Sequence, residues 1–213
     1  MRMSPISSRT VAGLALAGLL AWSLPASAAE TSPQDARHFM QDITDRTVTV
    51  LRNAKTADAA KTRAAFEAIL RDGLDLNIIG RFVLGNAWRT ASERQQATFI
   101  ELFTVYVLDS YSRRLGGSYS GETIKLTGAG PIAGTDAIIN SEIDRTDGQP
   151  PVKVDWRVRD VDGHMKIIDV VVEGLSMALT QRQEFASVMQ HGGLDGLIGE
   201  LRQRVQKLQS ANN

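Results

Sequence analysis

Asp169 and Glu173 are the strongest catalytic pair that the chain offers. Read on one strand, they fall on the same face about 13 Å apart. Acid–base pairs in glycosidases stand closer, roughly 5–9.5 Å apart. A half-open sheet packed by helices could instead host a single-carboxylate isomerase, with Asp169 as base and Tyr106 or Tyr111 as oxyanion donor. The simpler reading pairs Asp169 with Arg157 or Arg159 across the sheet and leaves Glu173 solvated or capping. His38, His164 and His191 share no metal-ligand spacing. There is no Cys, so thiolate chemistry and disulfides are both excluded. Nucleophile-elbow, zinc-helix, phosphate-loop and dinucleotide motifs are missing. Gly128-Ala129-Gly130 stands before Pro131 and a strand, and reads as a turn. No catalytic residue, metal ligand or cofactor is therefore expected, and the chain does not read as an enzyme.

The start of the chain carries an address. Arg2 and Arg9 precede an apolar run from Val11 to Leu24, broken by Pro25, and Ala26-Ser27-Ala28 supplies small residues for cleavage before Ala29. That run of 14 residues is shorter than the roughly 20 that span a bilayer. Residues 1–28 are expected to be a secretory signal peptide, and residues 29–213 one mature domain in the periplasm. The full chain has 24 Lys and Arg against 24 Asp and Glu, and two arginines but no acids lie in residues 1–28, so the mature net charge is −2. Nucleic acid rewards a strong basic excess, so it is not an expected partner.

Helical periodicity comes first. Ser32-Pro33-Gln34-Asp35 reads as an N-cap, a proline at the first helical position and an acid near the start. The helix it opens carries Phe39, Ile43, Val50 and Leu51. A second helix runs from its cap Asp58 to Leu70, with Gly73 as the stop, and a third over Leu76–Leu84 ends at Gly85. Ser92 caps the longest helix, whose stripe is Phe99, Leu102, Phe103, Tyr106, Val107, Ser110 and Leu115, closed by Gly116-Gly117.

The period then becomes two. Strands are expected at Glu122–Thr127, Ala137–Asp144, Val152–Arg159 and Met165–Leu175, with turns at Asp147-Gly148 and Asp162-Gly163. In the third strand Val152, Val154, Trp156 and Val158 share one face, and Lys153, Asp155, Arg157 and Arg159 the other. Helix returns over Ser176–Gln190, stops at Gly192-Gly193, and resumes over Leu197–Leu208. The expected class is α+β: a four-stranded antiparallel sheet wrapped by N- and C-terminal helices.

Three blocks carry a resemblance. They are Ile79-Gly-Arg-Phe-Val-Leu-Gly-Asn-Ala-Trp-Arg-Thr-Ala-Ser92, then Val154-Asp-Trp-Arg-Val158, and finally Lys166-Ile-Ile-Asp-Val-Val-Val-Glu-Gly-Leu-Ser176 followed by Gln181-Arg-Gln-Glu-Phe-Ala-Ser187. Their order and spacing over residues 35–205 resemble the MlaC (toluene-tolerance) family of periplasmic lipid carriers. The resemblance implies an apolar cavity between sheet and helices that holds phospholipid tails, or a hopanoid in one branch of the family, as cargo. It also implies two membrane partners. One is an outer-membrane lipoprotein–porin complex; the other is an inner-membrane ABC transporter complex with an MCE-domain subunit. Such a carrier would maintain outer-membrane lipid asymmetry.

The physics of such cargo is consistent. Each buried CH₂ is worth about 0.8 kcal/mol against water, so two long tails lose about 20 kcal/mol or more when exposed. Apolar walls with few fixed polar anchors would remove that cost and still permit release.

The candidate lipid-binding lining joins Phe99, Phe103, Tyr106 and Val107 of the long helix to Ile138, Val154, Trp156, Ile168, Val170 and Val172 of the sheet. Phe82, Leu175 and Met177 would close one end. Plain core packing is the alternative for each of them. Arg81, Trp88 and Arg89 could meet a phosphate or a partner complex, with surface salt bridges as the simpler role for the two arginines. An adaptor or chaperone with a solid core and no lipid is the other non-enzymatic reading.

Overall fold

A computed structural model describes residues 31–54, 58–117, 121–131 and 135–210. The expected signal peptide lies outside the described residues, as does the side chain of Leu115. Two antiparallel helices open the fold: α1 (Pro33–Asn53) and α2 (Ala59–Gly73). Ser32 Oγ accepts the Asp35 N–H at 3.3 Å, and Asp58 Oδ1 accepts the Ala60 N–H at 2.7 Å, so both expected caps form. Gly73 lies inside α2 and not at a left-handed stop. Its missing side chain matters because a Cβ there would stand 3.2 Å from Ile43 Cδ1, where α1 and α2 approach.

Next come α3 (Leu76–Leu84), α4 (Asn86–Thr90) and α5 (Glu93–Gly117). Asp75 Oδ1 accepts the Ile78 N–H at 2.7 Å to start α3, and Gly85, at φ 60°, ends it. The short α4 was not anticipated. Ser92 and Gln95 form a reciprocal capping box at the head of α5: Gln95 N–H donates to Ser92 Oγ at 3.3 Å, and Ser92 N–H to Gln95 Oε1 at 3.0 Å.

The sheet is antiparallel in the order β1 (Thr123–Pro131), β2 (Asp136–Asp144), β3 (Val152–Val161), β4 (His164–Val172) and β5 (Leu175–Ser176). Five strands stand where four were expected. Glu173 (φ 49°) and Gly174 (φ 81°) turn the chain after Val172, so the expected fourth strand splits and β5 folds back onto β4. Both turn residues are left-handed, as in the Asp162-Gly163 hairpin (φ 53° and 81°). Gly128-Ala129-Gly130 is also strand and not turn, because a bulge between Leu126 and Gly128 re-aligns it with Ile138–Asn140 of β2.

The last helix, α6 (Met177–Ser210), is two helices joined at Gly193 (φ 59°, ψ −162°), which agrees with the expected break.

Two apolar cores result. One sheet face, with Ala137, Ile139, Val158 and Ile167, packs on Ala36, Met40 and Ile43 of α1 and Ile69 of α2. The other core lies among α3, α5 and α6, where Phe99 stacks on Phe103 (centroids 5.6 Å) and Phe185 meets both edge-on at 6.0 and 6.1 Å. Leu74 touches both cores and pairs with Ile167 of β4, so α2, α3 and β4 meet at this one residue.

Candidate functional site

The helical core and the sheet meet along β4, and on the face of the sheet away from α1 they leave a cleft of about 210 Å³. Its walls are Ile78 and Phe82 of α3, Arg157 and Arg159 of β3, Ile168 and Asp169 of β4, and Ala178 of α6. Helical spacing of four places Ile78 and Phe82 on one side of α3. A bulge shapes the opposite wall: Arg157 pairs with Asp169 and Val158 with Ile167, which leaves Ile168 as an extra residue beside Asp169. Ile168 and Asp169 consequently both line the cleft.

The polar wall is held by a buried carboxylate. Asp136 of β2 accepts from Arg157 Nε at 2.7 Å, from Arg159 Nε at 2.5 Å and from Arg159 Nη2 at 3.0 Å. Burial opposes ionisation of Asp136, but the hydrogen bonds from Arg159 and Arg157 outweigh it and hold its carboxyl below the usual carboxylate range. Two guanidinium groups share one carboxylate, so donors remain on the cleft side of both arginines.

Asp169 has an architectural role. It accepts from Ser176 Oγ at 2.6 Å, from Val170 N–H at 2.8 Å and from Ala178 N–H at 3.1 Å, while Ser176 Oγ accepts the Leu179 N–H at 3.0 Å. These bonds fasten the start of α6 to β4. The expected Asp169–Arg157 or Asp169–Arg159 ion pair is not made, because Asp136 takes both guanidinium groups. Glu173 lies beyond the end of β4 and accepts the Lys153 N–H at 2.6 Å, so it shares no strand face with Asp169. Tyr106 faces α6, where Arg204 lies over its ring at 5.7 Å.

The thirteen candidate lining residues do not surround one space. Phe99, Phe103 and Val107 are buried in the helical core, with Tyr106 half-buried at its edge. Val154, Trp156, Val170 and Val172 share the sheet face that α1 covers, and Ile138 points to the opposite side. Only Phe82 and Ile168 line the cleft itself, with Leu175 and Met177 on the segment that leads into Ala178. The cause is that α5 packs mainly against α2, α3 and α6.

Sequence reasoning missed Ile78, Ala178 and the Asp136–Arg157–Arg159 group as cleft walls. The spacing of Ile78 from Phe82 was the available signal. Arg81 lies over Trp88 at 5.2 Å and Arg89 donates to Asn86 at 3.0 Å, so the salt bridges expected of these two arginines are replaced by other contacts.

A second hollow of about 520 Å³ lies between the start of α5 and the far half of α6. It is rimmed by Arg94, Arg202 and Asp195, and Gln95 donates to Asp195 at 2.9 Å. Though larger, its polar wall suits no acyl chain.

The family model described as "MlaC protein" matches residues 41–203. The chain belongs to this family. A curated relative in Haemophilus influenzae, the intermembrane phospholipid transport system binding protein MlaC, is 25% identical over 182 residues, which covers 82% of this chain and 83% of the relative. Among solved structures, the phospholipid-binding protein from Ralstonia solanacearum in complex with a phospholipid matches with a TM-score of 0.69 at 21% identity. That match covers 81% of this chain and 98% of the other, and it establishes the shared MlaC-like fold. The expected α+β class with an antiparallel sheet holds for this chain. No helix among the described residues is long and apolar enough to cross a membrane.

Proposed function

We propose that this protein is a periplasmic lipid carrier whose cargo is phospholipid, taken up tail-first at the cleft between α3, β4 and the start of α6. The observation that carries the reading is the make-up of that cleft: Ile78, Phe82 and Ala178 on the helical side, and Ile168 beside Asp169, Arg157 and Arg159 on the sheet side. Such a site offers dispersion contacts and desolvation to hydrocarbon, and N–H donors to a phosphate. Membership of the MlaC family supports it, as do the two relatives, one a phospholipid transport binding protein and the other bound to a phospholipid.

At about 210 Å³ the cleft is smaller than the roughly 300–1,000 Å³ of small-molecule sites. Cargo entry therefore requires α3 and α6 to move away from β4. That motion would bring Leu175 and Met177 to the tails, and it would open a path toward Phe99, Phe103, Tyr106 and Val107. Ile138 and the residues now under α1, namely Val154, Trp156, Val170 and Val172, would support the sheet behind the cargo. The finer role follows the family: movement of lipid between an outer-membrane lipoprotein–porin complex and an inner-membrane ABC transporter with an MCE-domain subunit, in service of outer-membrane asymmetry.

Native mass spectrometry of the mature protein from Ala29, with extraction and identification of the released molecule, tests this. A stoichiometric phospholipid is the expected result, and a hopanoid mass would reassign the cargo. Phe82→Glu, on an exposed rim position, should lower occupancy while the melting temperature stays near that of the wild type. A well-folded wild type that carries nothing and extracts nothing from vesicles would overturn the proposal in favour of a cargo-free adaptor.

A further inference from the structure

The rim of the cleft leaves large apolar side chains in water. Phe82 is 42% exposed, Leu175 66% and Leu179 47%. They belong to neighbouring segments: Leu175 and Leu179 flank the first turn of α6, and Arg182, one turn further on, lies over the Phe82 ring at 5.2 Å. Arg81 also stands on α3, next to Phe82 in the chain and over Trp88.

Charge is segregated at the same place. Residues 76–92 contain two arginines and no acid, and residues 174–183 contain Arg182 and no acid, with Asp75, Glu93, Glu173 and Glu184 bounding the two segments. Among the described residues, Arg81 and Arg182 pair with aromatic rings and with no carboxylate, whereas Arg46, Arg157, Arg159 and Arg204 are all tied to acids. Arg182 over the exposed Phe82 ring and Arg81 over the half-buried Trp88 ring, beside exposed leucines, present a cationic, apolar surface.

We infer that this rim docks directly on an anionic bilayer surface, with Phe82, Leu175 and Leu179 entering the headgroup layer and Arg81 and Arg182 meeting lipid phosphates. Aromatic, aliphatic and arginine side chains together suit that interface, where one end of a side chain is apolar and the other wet. The two acid-free segments that carry these cations suit a negatively charged lipid surface, which attracts each nearby cation and is screened by salt. The purpose of the contact, lipid exchange at the cleft mouth, rests on the carrier reading; the contact itself does not.

Vesicle flotation tests the inference with the mature protein and two lipid mixtures, pure phosphatidylcholine and phosphatidylcholine with about a third phosphatidylglycerol. The wild type should float with the phosphatidylglycerol vesicles at low salt and be released as salt rises. Each arginine removed should weaken partitioning about fivefold, so Arg81→Gln/Arg182→Gln should lose about 25-fold. Leu175→Ser/Leu179→Ser is the second variant and should weaken binding without changing its salt dependence. Circular dichroism of both variants confirms folding. No flotation of the wild type, indifference to phosphatidylglycerol, or a double-arginine variant that floats like the wild type would overturn the inference. Flotation only on vesicles bearing reconstituted membrane proteins would assign the rim to a protein partner and overturn it as well. Lipid occupancy of the wild type, read in parallel by mass spectrometry, reports on the carrier function separately.

Discussion

Replacing Asp136 by Asn removes one charge, changes almost no volume and leaves two arginines on the cleft wall without their counter-ion. The Asp136 side chain is 1% exposed, whereas those of Arg157 and Arg159 are 40% and 33% exposed. Breaking a fully buried ion pair from one side costs about 3–5 kcal/mol. Here the orphaned arginines are already partly hydrated, and Asn retains one carbonyl acceptor, so the expected loss is about 2–3 kcal/mol at neutral pH. For a domain of this length that is a fall of about 5–10 °C in melting temperature.

The pH dependence gives the sharper test. Asp136 is held below its ordinary value in the folded state, so it binds a proton less readily folded than unfolded. Its contribution is therefore complete above the unfolded carboxylate range, near pH 4, and is lost as pH falls through the lower folded value. Urea unfolding of wild type and Asp136→Asn at several pH values should show a gap of about 2–3 kcal/mol at pH 7 that narrows below about pH 4. A gap that is the same in acid as at neutrality, or one below about 0.5 kcal/mol throughout, would refute the account of Asp136 as the ionised anchor of this wall.

Three further outcomes follow from the packing. Phe103→Ala opens the stacked aromatic cluster and should cost about 3–5 kcal/mol by denaturant titration. Asp169→Ala removes three hydrogen bonds, two of them from Ser176 and Ala178 at the start of α6, and a loss of about 2–3 kcal/mol with faster amide exchange over residues 176–180 is expected. Gly85→Ala forces a left-handed backbone (φ 60°) onto a residue with a Cβ, which would meet the Arg182 guanidinium at 3.0 Å. About 1–2 kcal/mol of destabilisation should appear as a lower urea midpoint.

Caps and periods were legible because they are local. Ser32, Asp58, Ser92 and Ser176 each accept backbone N–H groups within a few residues. A side-chain oxygen can do this whatever the rest of the chain does. Gly85 and Asp162-Gly163 announced their turns through the backbone conformation that such residues allow. The Glu173-Gly174 turn has the same left-handed geometry but lacks the usual Asn or Asp, and an apolar run on either side concealed it. The family was legible for another reason: three blocks carry the resemblance by their order and spacing, and the family model matches residues 41–203.

The arrangement of walls was a different matter. Alternation in β3 correctly gave Val154, Trp156 and Val158 one face, yet nothing local states which helix will cover that face. α1 does, and α5 turns Phe99 and Phe103 toward Phe185 instead. Likewise, period two placed Arg157 and Arg159 together on the polar face, but their counter-ion, Asp136, is supplied by the register of β2 against β3, some twenty residues away in sequence. The sequence alone determined the caps, the alternation of period and the kinship. Only the tertiary structure decided which apolar faces are spent on core and which are left beside a cleft, because burial is set by the partner an element meets, and that partner is chosen by packing among distant segments.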